Sequence, residues 1–116
     1  MNNVIIAGGR HFNNYPILEG KLNTILANLP DVCIISGGAR GADALGELYA
    51  KSNNLPCKVF KADWDKHGKA AGHIRNREMA EYSEYCVVFW DGVSRGSKNM
   101  IDTATKLGLN VRVINY

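Results

Sequence analysis

The chain has 116 residues, 46% apolar and 22% charged, with 14 basic and 11 acidic side chains and a net charge of +3. This composition argues against a disordered chain and suits one domain around one core. The charge is too mild for an extended nucleic-acid footprint, yet it leaves cations for an anionic small molecule. No apolar run approaches the ~20 residues that span a bilayer. Met1-Asn2-Asn3 also lacks the basic start and long apolar stretch of a secretory leader, so a cytoplasmic protein without membrane partners is expected.

Val4-Ile5-Ile6-Ala7 is a short apolar run closed by Gly8-Gly9 and reads as the first strand. From Pro16 to Leu29 the residues Ile17, Leu18, Leu22, Ile25, Leu26 and Leu29 recur at helical spacing, with Pro16 suited to the first turn. Pro30-Asp31 is a turn, and Val32-Cys33-Ile34-Ile35 is a second strand ending at Ser36-Gly37-Gly38. A helix is expected from Ala42 to Ser52 with Ala44, Leu45, Leu48 and Tyr49 facing inward; Asn53-Asn54 stops it. Cys57 to Phe60 is a third strand, residues 61 to 70 a polar loop, and Ala71 to Ser83 a helix. Tyr85 to Trp90 is the fourth strand, followed by a loop at Asp91 to Gly96 and a helix to Leu107 that Gly108 ends. Asn110 to Ile114 is the last strand.

Apolar strands alternating with helices predict an α/β domain over residues 1–116, Rossmann-like, three-layered and doubly wound around a mainly parallel five-stranded sheet. The three cysteines, Cys33, Cys57 and Cys86, are odd in number and widely spaced, so they read as buried reduced thiols. Asp63, Asp65, His67 and His73 fit no ligand spacing, and no metal is expected.

Three strand ends carry loops suited to chemistry: Gly8-Gly9-Arg10-His11, Ser36-Gly37-Gly38-Ala39-Arg40-Gly41-Ala42-Asp43, and Asp91-Gly92-Val93-Ser94-Arg95-Gly96-Ser97. In a sheet of this type all three lie on the edge where ligands bind. A phosphate needs several backbone N–H groups at close range, which a Cβ would obstruct. A following helix adds free N–H groups and the positive end of its dipole. Ser36, Ser94 and Ser97 can add hydroxyls, and Arg10, Arg40 or Arg95 a full charge. The second loop reads G-G-x-x-G, not the dinucleotide pattern G-x-G-x-x-G.

Gly72, Arg75, Asn76 and Met79 share one helical face, where the small Gly72 lets a planar ligand lie close and two polar groups hold it. Arg77 and Glu81 read as a surface pair. Asp43 either caps its helix or accepts from a ribose hydroxyl. Trp64 and Trp90 are packing residues by habit, though Trp64, in a polar loop, can stack on a base. The candidate ligand-binding set is Gly8, Gly9, Arg10, Ser36, Gly37, Gly38, Ala39, Gly41, Asp43, Gly72, Arg75, Asn76, Asp91, Gly92, Ser94, Gly96 and Ser97.

The ordered set Gly-Gly-Arg, Ile-Ser-Gly-Gly-Ala-Arg-Gly-Ala-Asp, Ala-Asp-Trp, Lys-Ala-Ala-Gly with Arg-Asn-x-x-Met, and Asp-Gly-x-Ser-x-Gly-Ser resembles the YspA/YpsA-related branch of the SLOG superfamily, from Val4 to Val113. That superfamily takes its name from the Smf/DprA and LOG families. The resemblance implies a Rossmann-like fold and a nucleotide-derived ligand, here of NAD, ADP-ribose or nucleotide type. It also implies roles in sensing or processing such ligands in conflict between bacteria and phages.

LOG enzymes look like phosphoribohydrolases whose signature pairs an Arg and a Lys ahead of a Met, then runs Pro-Gly-Gly-x-Gly-Thr-x-x-Glu. Arg75 falls on that Arg, Asn76 on the Lys, Ser97 on the Thr, and Met100 on the Glu. A methionine can neither stabilise an oxocarbenium ion nor move a proton. The expected function is therefore binding, as a sensor or sequestering protein with no further cofactor. The alternative is an N-glycosidic hydrolase with Arg75 on the phosphate and Asp43 or Asp91 in place of the missing Glu. Single-stranded DNA binding, the third reading, wants a basic groove lined with aromatics, and nucleic acid is not the expected partner. LOG-like relatives imply a homo-oligomer, dimer or tetramer, with the Met79, Tyr82 and Tyr85 region near the interface.

Overall fold

A computed structural model describes residues 1–116. Its chain order is β1 (Asn2–Gly8), α1 (Tyr15–Ile25), β2 (Val32–Ser36), α2 (Ala42–Ser52), β3 (Cys57–Val59), α3 (Trp64–His67), α4 (Ala71–Tyr82), β4 (Tyr85–Trp90), α5 (Arg95–Lys106) and β5 (Asn110–Asn115). The five strands form one sheet in the order β3-β2-β1-β4-β5, and every pairing is parallel. Strand order reverses between β1 and β4, so the loops leaving these two strands part to opposite faces and open a crevice between them.

The strands β1, β2 and β4 are apolar throughout because both their faces are covered. Alternate residues serve alternate cores. Val4, Ile6, Ile34, Val87 and Phe89 pack with Leu18 and Leu22 of α1 and Tyr49 and Ala50 of α2. Ile5, Ala7, Ile35, Cys86 and Val88 pack with Met79 and Ala80 of α4 and Met100 and Ala104 of α5. The period-two alternation of the strands therefore sorts the helices two to each face.

Several expectations are corrected. Helix α1 ends at Ile25, not Leu29. Leu26 and Leu29 still pack on the core, but from a turn, and so prolong the helical pattern beyond the helix. On α2 the packed face is Ala42, Gly46, Tyr49 and Ala50; Ala44 and Leu48 are exposed and Leu45 lies between. Gly46 sets this rotation. A Cβ there would stand 2.8 Å from Ile6, so the glycine lets the helix backbone lie directly on β1. Cys57 is exposed while Cys33 and Cys86 are buried, because β3 is a three-residue edge strand open to water. The segment 61–70 holds a short helix, α3, and a 3-10 turn over Gly68–Ala70. Asp63 starts α3 by accepting from Lys66 N–H at 3.0 Å.

Candidate functional site

The crevice between β1 and β4 is a cleft of about 430 Å³. Its floor is the end of β1, Ala7 to His11. One wall is α4, through Gly72, Arg75, Asn76 and Met79, and the other is the turn from β4 into α5, through Asp91, Ser94, Gly96, Ser97 and Met100. Ala39 and Asp43 reach it from the β2 loop, and Trp64, Lys69, His73 and Tyr116 complete the rim.

The floor is bare backbone for a reason. Gly8 has φ +152° and a Cβ there would meet the Phe89 carbonyl at 2.2 Å. Gly9 carries the ring of Tyr116 on its Cβ side, and that ring also packs 4.8 Å from Phe12. Gly9 N–H donates to the Phe89 carbonyl, and its own carbonyl accepts from Phe12 and Ala42.

Arg75 is half-buried and held at two points. Its Nε donates to Asn76 Oδ1 at 3.0 Å and its Nη1 to the Gly37 carbonyl. Asn76, itself buried, donates to Asn99 Oδ1 at 2.9 Å and so ties α4 to α5. These bonds fix the guanidinium while leaving its other N–H groups without a protein acceptor. Burial lowers the Arg75 pKa, and the Asp43 charge opposes that shift.

Asp43 lies in the first turn of α2, whose N-cap is Gly41, so it is not the capping residue. Its Oδ2 accepts from Ala39 N–H at 3.3 Å. Burial pushes its carboxyl up to about 6, against the pull of the Ala39 N–H and of Arg75. Gly37 separates the two groups: a Cβ there would stand 2.7 Å from Arg75 Nη1 and 2.8 Å from Asp43 Oδ2. Ser36 is fully buried, donating to Glu47 Oε2 at 2.7 Å and accepting from Gly38 N–H.

Asp91 is exposed and bent onto its own loop. Its Oδ1 accepts from Val93 N–H at 2.9 Å and Ser94 N–H at 2.8 Å, which holds its pKa below the ordinary carboxylate value. Ser94 is the N-cap of α5 but makes no capping bond with its side chain. The first-turn N–H groups of α5 therefore face the cleft end of the helix without a side-chain acceptor. Ser97 is buried and donates to Ser94 Oγ at 3.2 Å.

The fold thus brings Gly8, Gly9, Arg10, Ala39, Asp43, Gly72, Arg75, Asn76, Asp91, Ser94, Gly96 and Ser97 to one cleft. Gly37 and Gly38 turn to an adjoining hollow, while Ser36, Gly41 and Gly92 line neither. Gly41 instead has φ +80° and lies against Gly9 and Arg10, joining the β2 loop to the β1 loop. Arg77 and Glu81 form an exposed pair at 3.3 Å. Trp90 is a packing residue whose Nε1 donates to the Ser94 carbonyl, whereas Trp64 is 55% exposed at the rim. Lys69 and Tyr116 were not expected there; their place depends on the 3-10 turn and on the path beyond β5, which no local pattern announces. No three His, Cys, Asp or Glu side chains gather where they could share a metal ion. No helix is long and apolar enough to cross a membrane.

The model of the family described as YAcAr (YspA, cpYpsA-related SLOG family) matches residues 2–67. Gene 61 protein of Mycobacterium phage D29 is 32% identical over 123 residues, covering all of this chain and 97% of the relative. Among solved structures, DNA processing protein A from Streptococcus pneumoniae superposes over 99% of this chain with a TM-score of 0.71 at 18% identity. This chain spans 50% of that one, and the likeness is one of fold.

Proposed function

The chain belongs to the YspA, cpYpsA-related SLOG family, and on that premise we propose that its cleft binds a phosphate-bearing, nucleotide-derived small molecule as a sensor or sequestering protein. One observation carries this reading. The bare β1 loop, the uncapped first turn of α5 and the pinned guanidinium of Arg75 converge on one cleft at the carboxyl ends of β1 and β4. The α5 turn supplies free N–H groups at a helix dipole and Arg75 supplies charge, while the β1 glycines, with the Gly9 N–H taken by Phe89, add a floor without side chains. Met100, buried on the cleft wall, supplies no acid or base. The ligand is the only small molecule this function requires.

The test is a panel of nucleoside monophosphates, NAD, ADP-ribose and cyclic nucleotides, read by thermal shift and product chromatography together. A ligand at 100-fold above its Kd adds about 2.7 kcal/mol of stability. A shift with the ligand recovered intact supports binding. No shift with any member would remove the reading.

A second reading, N-glycosidic hydrolysis, rests on Asp43. A buried carboxyl raised to about 6, at the cleft and near a guanidinium, can hold a proton near neutral pH and donate it to a leaving base. Release of free base by the native chain but not by Asp43→Asn would establish it. Self-association is proposed on the family premise. Of the three residues expected at such an interface, Met79 is buried and Tyr85 partly buried, leaving Tyr82 exposed; sedimentation showing only monomer would end that idea.

A further inference from the structure

Beside the cleft lies a second hollow of about 440 Å³. Its charged walls are Arg10, Arg40, Lys61 and Arg75, and no carboxylate lines it. None of the four makes an ion pair with the protein. Asp43, outside the hollow, offsets part of the charge on Arg75, while Arg10 acts on Arg75 in the opposite sense; Arg10, Arg40 and Lys61 face the hollow with no carboxylate among its walls, and like charges so placed repel. An anion in the hollow relieves that repulsion. Gly38 forms part of the wall with φ +74°, leaving backbone exposed beside Lys61.

The hollow and the cleft are not separate sites. Both are lined by Arg10, Ala39, Trp64 and Arg75. Trp64, at the shared rim, leaves more than half its surface in water and lies 3.6 Å from where a Cβ on Gly72 would stand. It offers a flat face to a ligand passing from one space to the other.

We propose that the hollow is a second anion subsite continuous with the cleft, and that the ligand is a small nucleotide with two or more phosphoryl groups. One anion sits among Arg10, Arg40 and Lys61, another at the first turn of α5, and Arg75 lies between them. This inference rests on the reading of the cleft given above. A small molecule fits better than a nucleic-acid strand. Strand binding wants cations along a groove, whereas beyond the shared Arg10 and Arg75 the cleft adds one lysine, Lys69, against two carboxylates, Asp43 and Asp91.

Titration calorimetry with AMP, ADP-ribose and a thymidine decamer tests this, on the native chain and on Arg40→Ala/Lys61→Ala. Both side chains are exposed and make no hydrogen bond or ion pair, so the double variant should melt as the native chain does. The native chain should bind ADP-ribose about tenfold or more tighter than AMP, since charged hydrogen bonds contribute on that scale. The double variant should lose that advantage and keep its AMP affinity. Equal affinities on the native chain, or equal losses for both ligands, would overturn the second subsite and leave the cleft reading standing. No binding of either nucleotide removes both. A decamer that displaces ADP-ribose and depends on Arg40 and Lys61 would overturn the proposal in favour of a strand.

Discussion

The loops that follow β2 and β4 look alike in sequence, each glycine-bearing and each leading into a helix, but the fold uses them in opposite ways. The β2 loop already contains its anion. The Asp43 carboxylate takes the Ala39 N–H, Ser36 takes the Gly38 N–H, and the Gly37 carbonyl is closed by Arg75. The β4 loop turns its carboxylate onto Val93 and Ser94 and leaves the first turn of α5 open. A glycine-rich loop is thus not of itself a phosphate cradle; what matters is whether its N–H groups are already taken. The backbone of the first loop is spent on internal bonds, leaving its Arg40 side chain outside them, whereas the second loop leaves backbone donors open at the cleft.

The largest effect should come from breaking the β2 loop. At Gly41 the backbone has φ +80° and a Cβ would stand 2.2 Å from the Gly9 carbonyl. Gly41→Ala should cost about 3 kcal/mol or more in a denaturant melt, and a native midpoint would show that the two loops are not locked together.

Asp43→Asn probes the anion inside the β2 loop. The folded carboxyl at about 6 lies above its ordinary 3.8, so the folded state holds the proton more tightly than the unfolded. The stability this group contributes is complete below pH 3.8 and is lost as pH rises through 6. Native stability should therefore gain up to about 3 kcal/mol from this group between pH 7 and pH 4. The asparagine variant should lack that slope and be the more stable at pH 7. A variant with the native slope would show that Asp43 does not titrate in this range.

Arg75→Met separates the roles of the shared guanidinium. Losing the bond to Gly37 should lower stability by about 1–2 kcal/mol. Losing the free N–H groups should weaken nucleotide binding about 100-fold, an effect of the size of a charged hydrogen-bond pair. Equal affinity by calorimetry would make Arg75 a strut only. The smallest change in stability should come from Gly96→Asp. The space around Gly96 is open and a carboxylate in the first turn of α5 complements the dipole, adding about 0.5 kcal/mol. The same carboxylate should repel a phosphate and lower affinity about tenfold or more. A variant that melts higher yet binds as before would relieve the β4 loop of its role in binding.

Much of the fold was legible because the apolar runs of β1, β2 and β4 suit strands covered on both faces, and helical spacing marks what lies between them; β3 and β5, largely exposed, were placed by the alternation of strand and helix. What escaped did so for local reasons. Asn2 and Asn3 join β1 although polar, with Asn3 bonded to Tyr82 and Glu84 on the far side of the chain. Leu26 and Leu29 copy helical spacing from a turn, and Gly46 rotates α2 by removing a side chain, a signal that apolar counting misses. The loops of the candidate site were legible as a set, since parallel strands must deliver them to one edge. Their internal bonding was not. That Ser36 points to Glu47 and Asp43 to Ala39 depends on partners whose approach no spacing reveals. Tyr116 reaches the cleft only because β5 runs beside β4.

The two outer strands carry a consequence of their own. β3 and β5 are both exposed along most of their length, each with backbone groups free on one side. Such margins invite another chain to add a strand. In β3 the middle residue is Lys58, its ammonium 4.3 Å over the ring of Tyr82 and 5.1 Å over that of Phe60; in β5 the exposed Arg112 takes the comparable place. A growing ribbon would have to bury those cations against its own copies, so both flanks of the sheet carry a charge that opposes edge-to-edge growth.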